Sequence, residues 1–392
     1  MKHFFFVLLL VTFFAFFPTT VIEAAPNSDL PWASGVHTAN ELQPHLDFGT
    51  WRGNPTDVIV ASFNVRDAGW GSLTKPTNIF DGLNYKSYDG ILVLSVAMYP
   101  QGQGNNAACA SGAYDNYWKE AGSYLDSIGR NSPSTIIRIG WEFNGDFMYW
   151  HSDADPTNFK TCWNNVAKAI RSTAPNVLLD WTFNAHGSPF PASGNPFDAY
   201  PGDEYVDIIG IDSYDHYPPS HDQAAWDNQC NTNNGLCYVI NFAREHGKLF
   251  SVAEWGVAVG SADGGGDNPF YIEKMFETFM ENRDILAYEA YYNAPISIEP
   301  GNVGSGIYPA AGSVDAPQSS AKYLELFGNN SPANGLGGGV DYSTWGAGTG
   351  GGGGTVRPSP TPTSIPLPYY PEISPWVFII PGIIIFLAVM FQ

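Results

Sequence analysis

Two glutamates in this chain stand where packing alone does not explain a carboxylate. Glu142 closes the run Thr135-Ile-Ile-Arg-Ile-Gly-Trp-Glu142 and is followed by Phe143, Asn144 and Gly145. Glu254 closes Leu249-Phe-Ser-Val-Ala-Glu254 and is followed by Trp255 and Gly256. Each acid ends a short apolar, β-branched stretch of the kind that forms a buried strand, and a carboxylate there is costly unless it is paired or used. Two such acids predict a pair of carboxyl groups facing one substrate, as glycoside hydrolysis requires. One protonates the leaving oxygen, and the other attacks the anomeric carbon or activates water. The two must differ in pKa despite identical chemistry, and their neighbours set that difference. Trp141 and Phe143 beside Glu142 predict desolvation and a raised pKa, which suits the acid, with Asn144 close by. Glu254 must stay ionised and needs donors. Tyr214, and Arg138 with its rigid guanidinium fork, are the candidates. Arg138 lies four residues before Glu142 and is expected on the same strand face.

Eight apolar runs can position these groups: Ser34–His37, Val58–Phe63, Ile91–Ala97, Ile136–Glu142, Val177–Phe183, Val206–Tyr214, Phe250–Glu254 and Ala287–Tyr292. Helix-length amphipathic stretches lie between most of them, such as Asn158–Ser172, Ala225–His246 with an internal loop, and Tyr271–Asn282. Continuous apolar strands alternating with helices indicate a parallel sheet covered on both faces. Eight units across residues 26–330 predict an α/β fold, a (β/α)8 TIM barrel, with a doubly wound open sheet as the alternative. In a barrel the active site lies at the C-terminal ends of the strands. Glu142 on the fourth strand and Glu254 on the seventh then share one mouth.

Three of these strands carry a resemblance. Arg138-x-x-Trp141-Glu142-Phe-Asn144-Gly145, with Trp150 beyond, resembles the acid/base strand of the family 26 glycoside hydrolases. Ala253-Glu254-Trp255-Gly256 resembles their nucleophile strand. Val206-Asp-Ile-Ile-Gly210-Ile-Asp212-Ser-Tyr214 resembles their sixth strand, whose tyrosine contacts the nucleophile. The likeness spans most of residues 30–325. It implies a retaining endo-glycosidase, most often acting on β-1,4-mannan, with β-glucan and β-xylan variants as alternatives. The chain departs from the family at Trp141, where a His usually precedes the acid/base Glu and contacts the sugar. It departs again at Phe147, where Trp is expected.

Tyr214, Trp255, Trp150 and Trp181 are candidates for lining sugar subsites, with core packing as the competing reading. Asn184 and His186 end the fifth strand and are candidates for binding sugar hydroxyls. Glu289 is a third strand acid, for which a paired structural role is expected. Asp263-Gly-Gly-Gly-Asp267 is expected to be a rim loop, since it lacks the ligand count of a calcium site. No HExxH, histidine triad or GxSxG occurs, so no metal or cofactor is expected and esterase chemistry has no support. A non-catalytic glycan-binding protein on the same scaffold is the competing function.

Aromatic residues make up 15% of the chain, including 12 Trp and 21 Tyr, which fits a carbohydrate cleft as well as a large aromatic core. The net charge of −21, with 17 Lys and Arg, excludes a nucleic-acid partner, which needs clustered cations. A polysaccharide and a monomeric state are expected. Four cysteines allow three pairings. A short Cys230–Cys237 loop leaves Cys109 with Cys162. Residues 1–25 read as a secretory signal peptide. Residues 331–371 read as a Gly/Pro/Ser/Thr-rich stalk. Residues 372–392 read as a hydrophobic membrane anchor or sorting signal. Pro371-Glu-Ile-Ser-Pro-Trp376 resembles the Pro-Glu-Phe type sorting signals of archaeal surface proteins, without their basic tail. These ends predict an extracellular domain tethered to the membrane or cell envelope.

Overall fold

A computed structural model describes residues 28–62, 69–75, 85–296, 303–309 and 314–341. Eight strands form a closed, all-parallel barrel in sequence order. They are β1 (Ser34–His37), β2 (Val58–Ser62), β3 (Ile91–Val96), β4 (Thr135–Ile139), β5 (Leu178–Asn184), β6 (Ile208–Tyr214), β7 (Leu249–Gly256) and β8 (Leu286–Tyr292). The barrel closes where Ser34–His37 pair with Glu289–Tyr292. The expected (β/α)8 barrel is therefore the observed fold. Strands such as Ile91–Val96 are buried along their whole length, because one face fills the barrel and the other meets the helices.

The described helices are α1 (Leu42–Arg52), α2 (Trp70–Thr74), α3 (Asn106–Ala110), α4 (Asp115–Ser127), α5 (Thr157–Arg171), α6 (Gln223–Asn231), α7 (Leu236–Glu245), α8 (Pro269–Glu281) and α9 (Pro317–Phe327). Helix α5 buries Phe159, Cys162, Trp163, Val166, Ala167 and Ile170 at helical spacing, which lays one face on the barrel. Disulfides join Cys109 on α3 to Cys162 on α5 and Cys230 on α6 to Cys237 on α7, the pairing read from the sequence.

Strand β4 ends sooner than its apolar run suggests. Gly140 (φ 56°) and Glu142 (φ 49°) both adopt left-handed backbone, so the chain turns out of the ladder three residues before the acid. The Gly-rich stretch also departs from expectation at its start. The Gly335 amide donates to the Asp29 carbonyl (2.8 Å), Arg283 donates to the Gly337 carbonyl (3.0 Å), and Ala333 is buried. The first residues of this stretch are thus tied to the barrel by Ser331, Ala333 and two hydrogen bonds. Glycine permits close approach as readily as it permits freedom. The expected signal peptide, the stalk beyond residue 341 and the C-terminal hydrophobic segment lie outside the described residues. Among the described residues no helix is long and apolar enough to cross a membrane.

Candidate active site

Glu254 sits near the C-terminal end of β7 with both carboxylate oxygens occupied. Arg138 of β4 donates Nη1 to Oε1 at 2.9 Å, and the Tyr214 hydroxyl of β6 donates to Oε2 at 3.1 Å. His37, at the end of β1, places Nδ1 3.6 Å from Oε1, close enough for charge attraction but beyond a hydrogen bond. Burial would raise this carboxyl, but the attraction of His37 and Arg138 outweighs it and holds the group at about 2. Arg138 is itself fully buried. Its Nη1 also donates to Ser95 Oγ of β3 (2.9 Å), and its Nη2 pairs with the Asp212 carboxylate of β6. Burial opposes its charge, but Asp212 and Glu254 together keep it protonated. One guanidinium therefore ties β3, β4, β6 and β7 together beneath the mouth.

Glu142 is held differently. Its amide donates to the Thr182 carbonyl (3.1 Å), and its Oε1 accepts from Asn184 Nδ2 at 2.7 Å. Among the described residues no cation is paired with it. Burial pushes its carboxyl up to about 8, with the negative charge of Glu254 adding to the effect, while Arg138 and the Asn184 hydrogen bond pull the other way. Asn144 fixes Asn184 in turn. Its Nδ2 donates to the Asn184 carbonyl (2.7 Å), and its Oδ1 accepts from the Asn184 amide (2.9 Å). Trp150 donates its indole N–H to the Trp141 carbonyl (2.7 Å), and their rings meet at 4.4 Å. The Trp141 ring lies 5.9 Å from the Arg138 guanidinium carbon.

A second polar layer lies deeper in the barrel. Asp180 of β5 accepts from Thr182, Ser251 and Tyr288 at 2.6–2.7 Å. Gly210 makes room for it, since a Cβ there would lie 2.5 Å from both Ser251 Oγ and Thr182 Oγ1 and 2.8 Å from Asp180 Oδ1.

The structure thus brings Glu142, Glu254, Arg138, Trp141, Asn184 and Tyr214 into one constellation. Asn144 and Trp150 belong to it as supports, with their polar groups turned to backbone. His186 stands beside it, with its ring 4.8 Å from that of His216. Trp255 does not belong. It points the opposite way from Glu254, as adjacent strand residues must. It packs fully buried among Phe279, Tyr291, Tyr323 and Phe327, with its indole donating to Glu289 Oε2 at 2.6 Å. Sugar cannot reach it. Trp181 likewise packs in the core against Phe143, Phe183 and Tyr200. Glu289 sits in the outer layer, also taking the Trp32 indole (3.4 Å), while Asp267 accepts from the first amides of α9. Among the described residues no group of three or more His, Cys, Asp or Glu side chains could hold a metal ion.

Sequence reasoning missed three contributors: His37, Ser95 and Asp212. The signal for Asp212 was present, because it lies two residues before Tyr214 and so on the same strand face. His37 ends a strand as the two acids do. Ser95 carries no chemical signature of its own.

Residues 124–275 match the sequence profile described as Glycosyl hydrolase family 26. A mannan endo-1,4-beta-mannosidase of Bifidobacterium adolescentis is 26% identical over 169 residues, which are 41% of this chain and 17% of that protein. The chain thus spans about a sixth of the length of that relative. Among solved structures, GH26C from a Muricauda species superposes with a TM-score of 0.55 at 17% identity, covering 82% of this chain and 91% of that one. The catalytic domain of a GH26 endo-beta-1,4-mannanase from a Bacillus species gives 0.52 at 15% identity, covering 83% and 92%. These superpositions establish the shared barrel.

Proposed function

We propose that this chain is a divergent, glycoside hydrolase family 26-like (β/α)8 enzyme, a retaining endo-β-glycosidase that cleaves β-1,4-mannan by double displacement. The observation that carries this reading is the opposed state of two carboxyls in one mouth. Glu142 stays protonated to about 8 and Glu254 stays ionised down to about 2. Glu254, oriented by Arg138 and Tyr214, attacks the anomeric carbon. Glu142 gives its proton to the leaving oxygen, and the glycosyl group is left as an ester on Glu254. Glu142, now a base, takes a proton from water as that water attacks the same carbon from the opposite face to the ester, restoring both groups. The named activity of the Bifidobacterium relative supports mannan as the polymer. Trp141, in place of the family's usual His, favours β-glucan or β-xylan as the second reading.

The catalytic domain acts outside the cell, held at the membrane or envelope by the C-terminal segment. The signal-like residues 1–25 and the apolar run Trp376–Phe391 support this placement. A panel of mannan, β-glucan and xylan, with product anomers followed by NMR, tests the reading. Release of β-anomer from mannan is expected. Initial release of α-anomer would contradict retention, and binding of polymer without any release would point to a non-catalytic glycan-binding protein.

A further inference from the structure

The barrel order divides the mouth into two arcs. Between β4, which leads to the acid, and β7, which carries the nucleophile, lie β5 and β6 on one side and β8, β1, β2 and β3 on the other. A glycan whose scissile bond sits between the two carboxyls must cross from one arc to the other. Asn184 of β5 hydrogen-bonds the proton donor, which puts the β5–β6 arc beside the group that meets the leaving oxygen. On that arc stands Tyr217, 56% exposed and in the left-handed region at φ 51°. A bulky residue is unfavourable in that conformation, and such residues cluster at functional sites.

The surroundings hold Tyr217 firmly. Its amide donates to the Asp263 carbonyl (3.2 Å), and the preceding His216 forms an antiparallel bridge to Gly264. Its ring meets His216 at 4.5 Å and His186 at 6.3 Å. The His216 ring lies 5.8 Å from that of Tyr214, whose hydroxyl touches Glu254. An aromatic ring fixed in place yet left in solvent contributes little to the core. The two imidazoles behind it are neutral near pH 7, since burial pushes that of His186 down to about 3 and, against the pull of Asp263, that of His216 to about 4.

We propose that Tyr217 is a stacking platform for a neutral pyranose ring on the leaving-group side of the cleft, backed by His216 and His186. The proposal rests on the glycosidase reading above. The test compares two substrates in the full chain: β-1,4-mannohexaose, which has sugars on the leaving side, and 4-nitrophenyl β-mannobioside, which has none. The matching gluco- or xylo-pair replaces them if the polymer panel assigns those sugars. Tyr217→Asn removes the ring with a residue that tolerates left-handed backbone. The ratio of kcat/KM for hexaose over aryl glycoside is expected to fall about tenfold. Tyr217→Phe, which keeps the ring, is expected to hold the ratio within about threefold of wild type. An unchanged ratio in Tyr217→Asn, or an equal fall in Tyr217→Phe, overturns the platform while leaving the glycosidase reading intact. Wild-type protein that cleaves neither substrate overturns both.

Discussion

At the residue scale, the site works by giving two identical side chains opposite partners. Glu254 has a guanidinium, a phenol and an imidazole around it, whereas Glu142 has burial and one amide. Activity therefore requires Glu142 protonated and Glu254 ionised, and the pH profile of kcat/KM is a bell whose limbs these groups set. The Asn184 hydrogen bond favours the charged form of Glu142. Asn184→Ala should accordingly move the alkaline limb upward while lowering kcat, as read from a pH–rate series. His37 favours ionised Glu254, so His37→Ala should move the acid limb upward in the same series. The raised carboxyl also carries a stability cost. A group with a folded pKa of about 8 against 4.5 unfolded costs nothing below pH 4.5, and its penalty grows until the pH passes 8. Glu142→Gln should then raise Tm by several degrees at pH 8 and leave it unchanged near pH 4, as measured by calorimetry. Equal shifts at both pH values would contradict the linkage.

At the element scale, strand alternation decides which residues reach substrate. Glu254 turns inward, so Trp255 must turn outward to α8 and α9. Trp255→Ala should destabilise the domain by about 3–5 kcal/mol. It also strips Glu289 of a hydrogen bond. A raised KM with unchanged Tm would contradict that assignment. Strand positions were legible in the sequence because strands buried on both faces read as unbroken apolar runs. The end of β4 was not, since Gly140 and Glu142 leave the ladder through left-handed backbone that an apolar pattern does not encode. Arg138, named from the sequence as a donor for Glu254, does donate to that carboxylate across the barrel. Beneath them, Gly210→Ala should cost about 1–3 kcal/mol by overpacking, as read from urea unfolding, because the Ser251, Thr182 and Asp180 side chains it meets are already engaged with one another.

At the scale of the whole molecule, α3 and α5 are clamped by a disulfide spanning 53 residues, and α6 and α7 by one spanning 7. By loop-closure entropy the first should contribute about 4 kcal/mol and the second about 2. Replacing Cys109 and Cys162 with serine should therefore lower Tm more than replacing Cys230 and Cys237. Ser331 and Ala333 are buried, and Gly335 and Gly337 hydrogen-bond to Asp29 and Arg283, residues far away in sequence.

The pairing of Glu142 as proton donor with Glu254 as nucleophile is tested most directly by trapping the intermediate. The protein is incubated with a 2-deoxy-2-fluoro-β-mannosyl substrate bearing a dinitrophenyl leaving group, digested and sequenced by mass spectrometry. One fluorosugar per chain, bonded to Glu254, is the predicted result. A label on any other residue, or no label in a protein that hydrolyses mannan, would contradict the account.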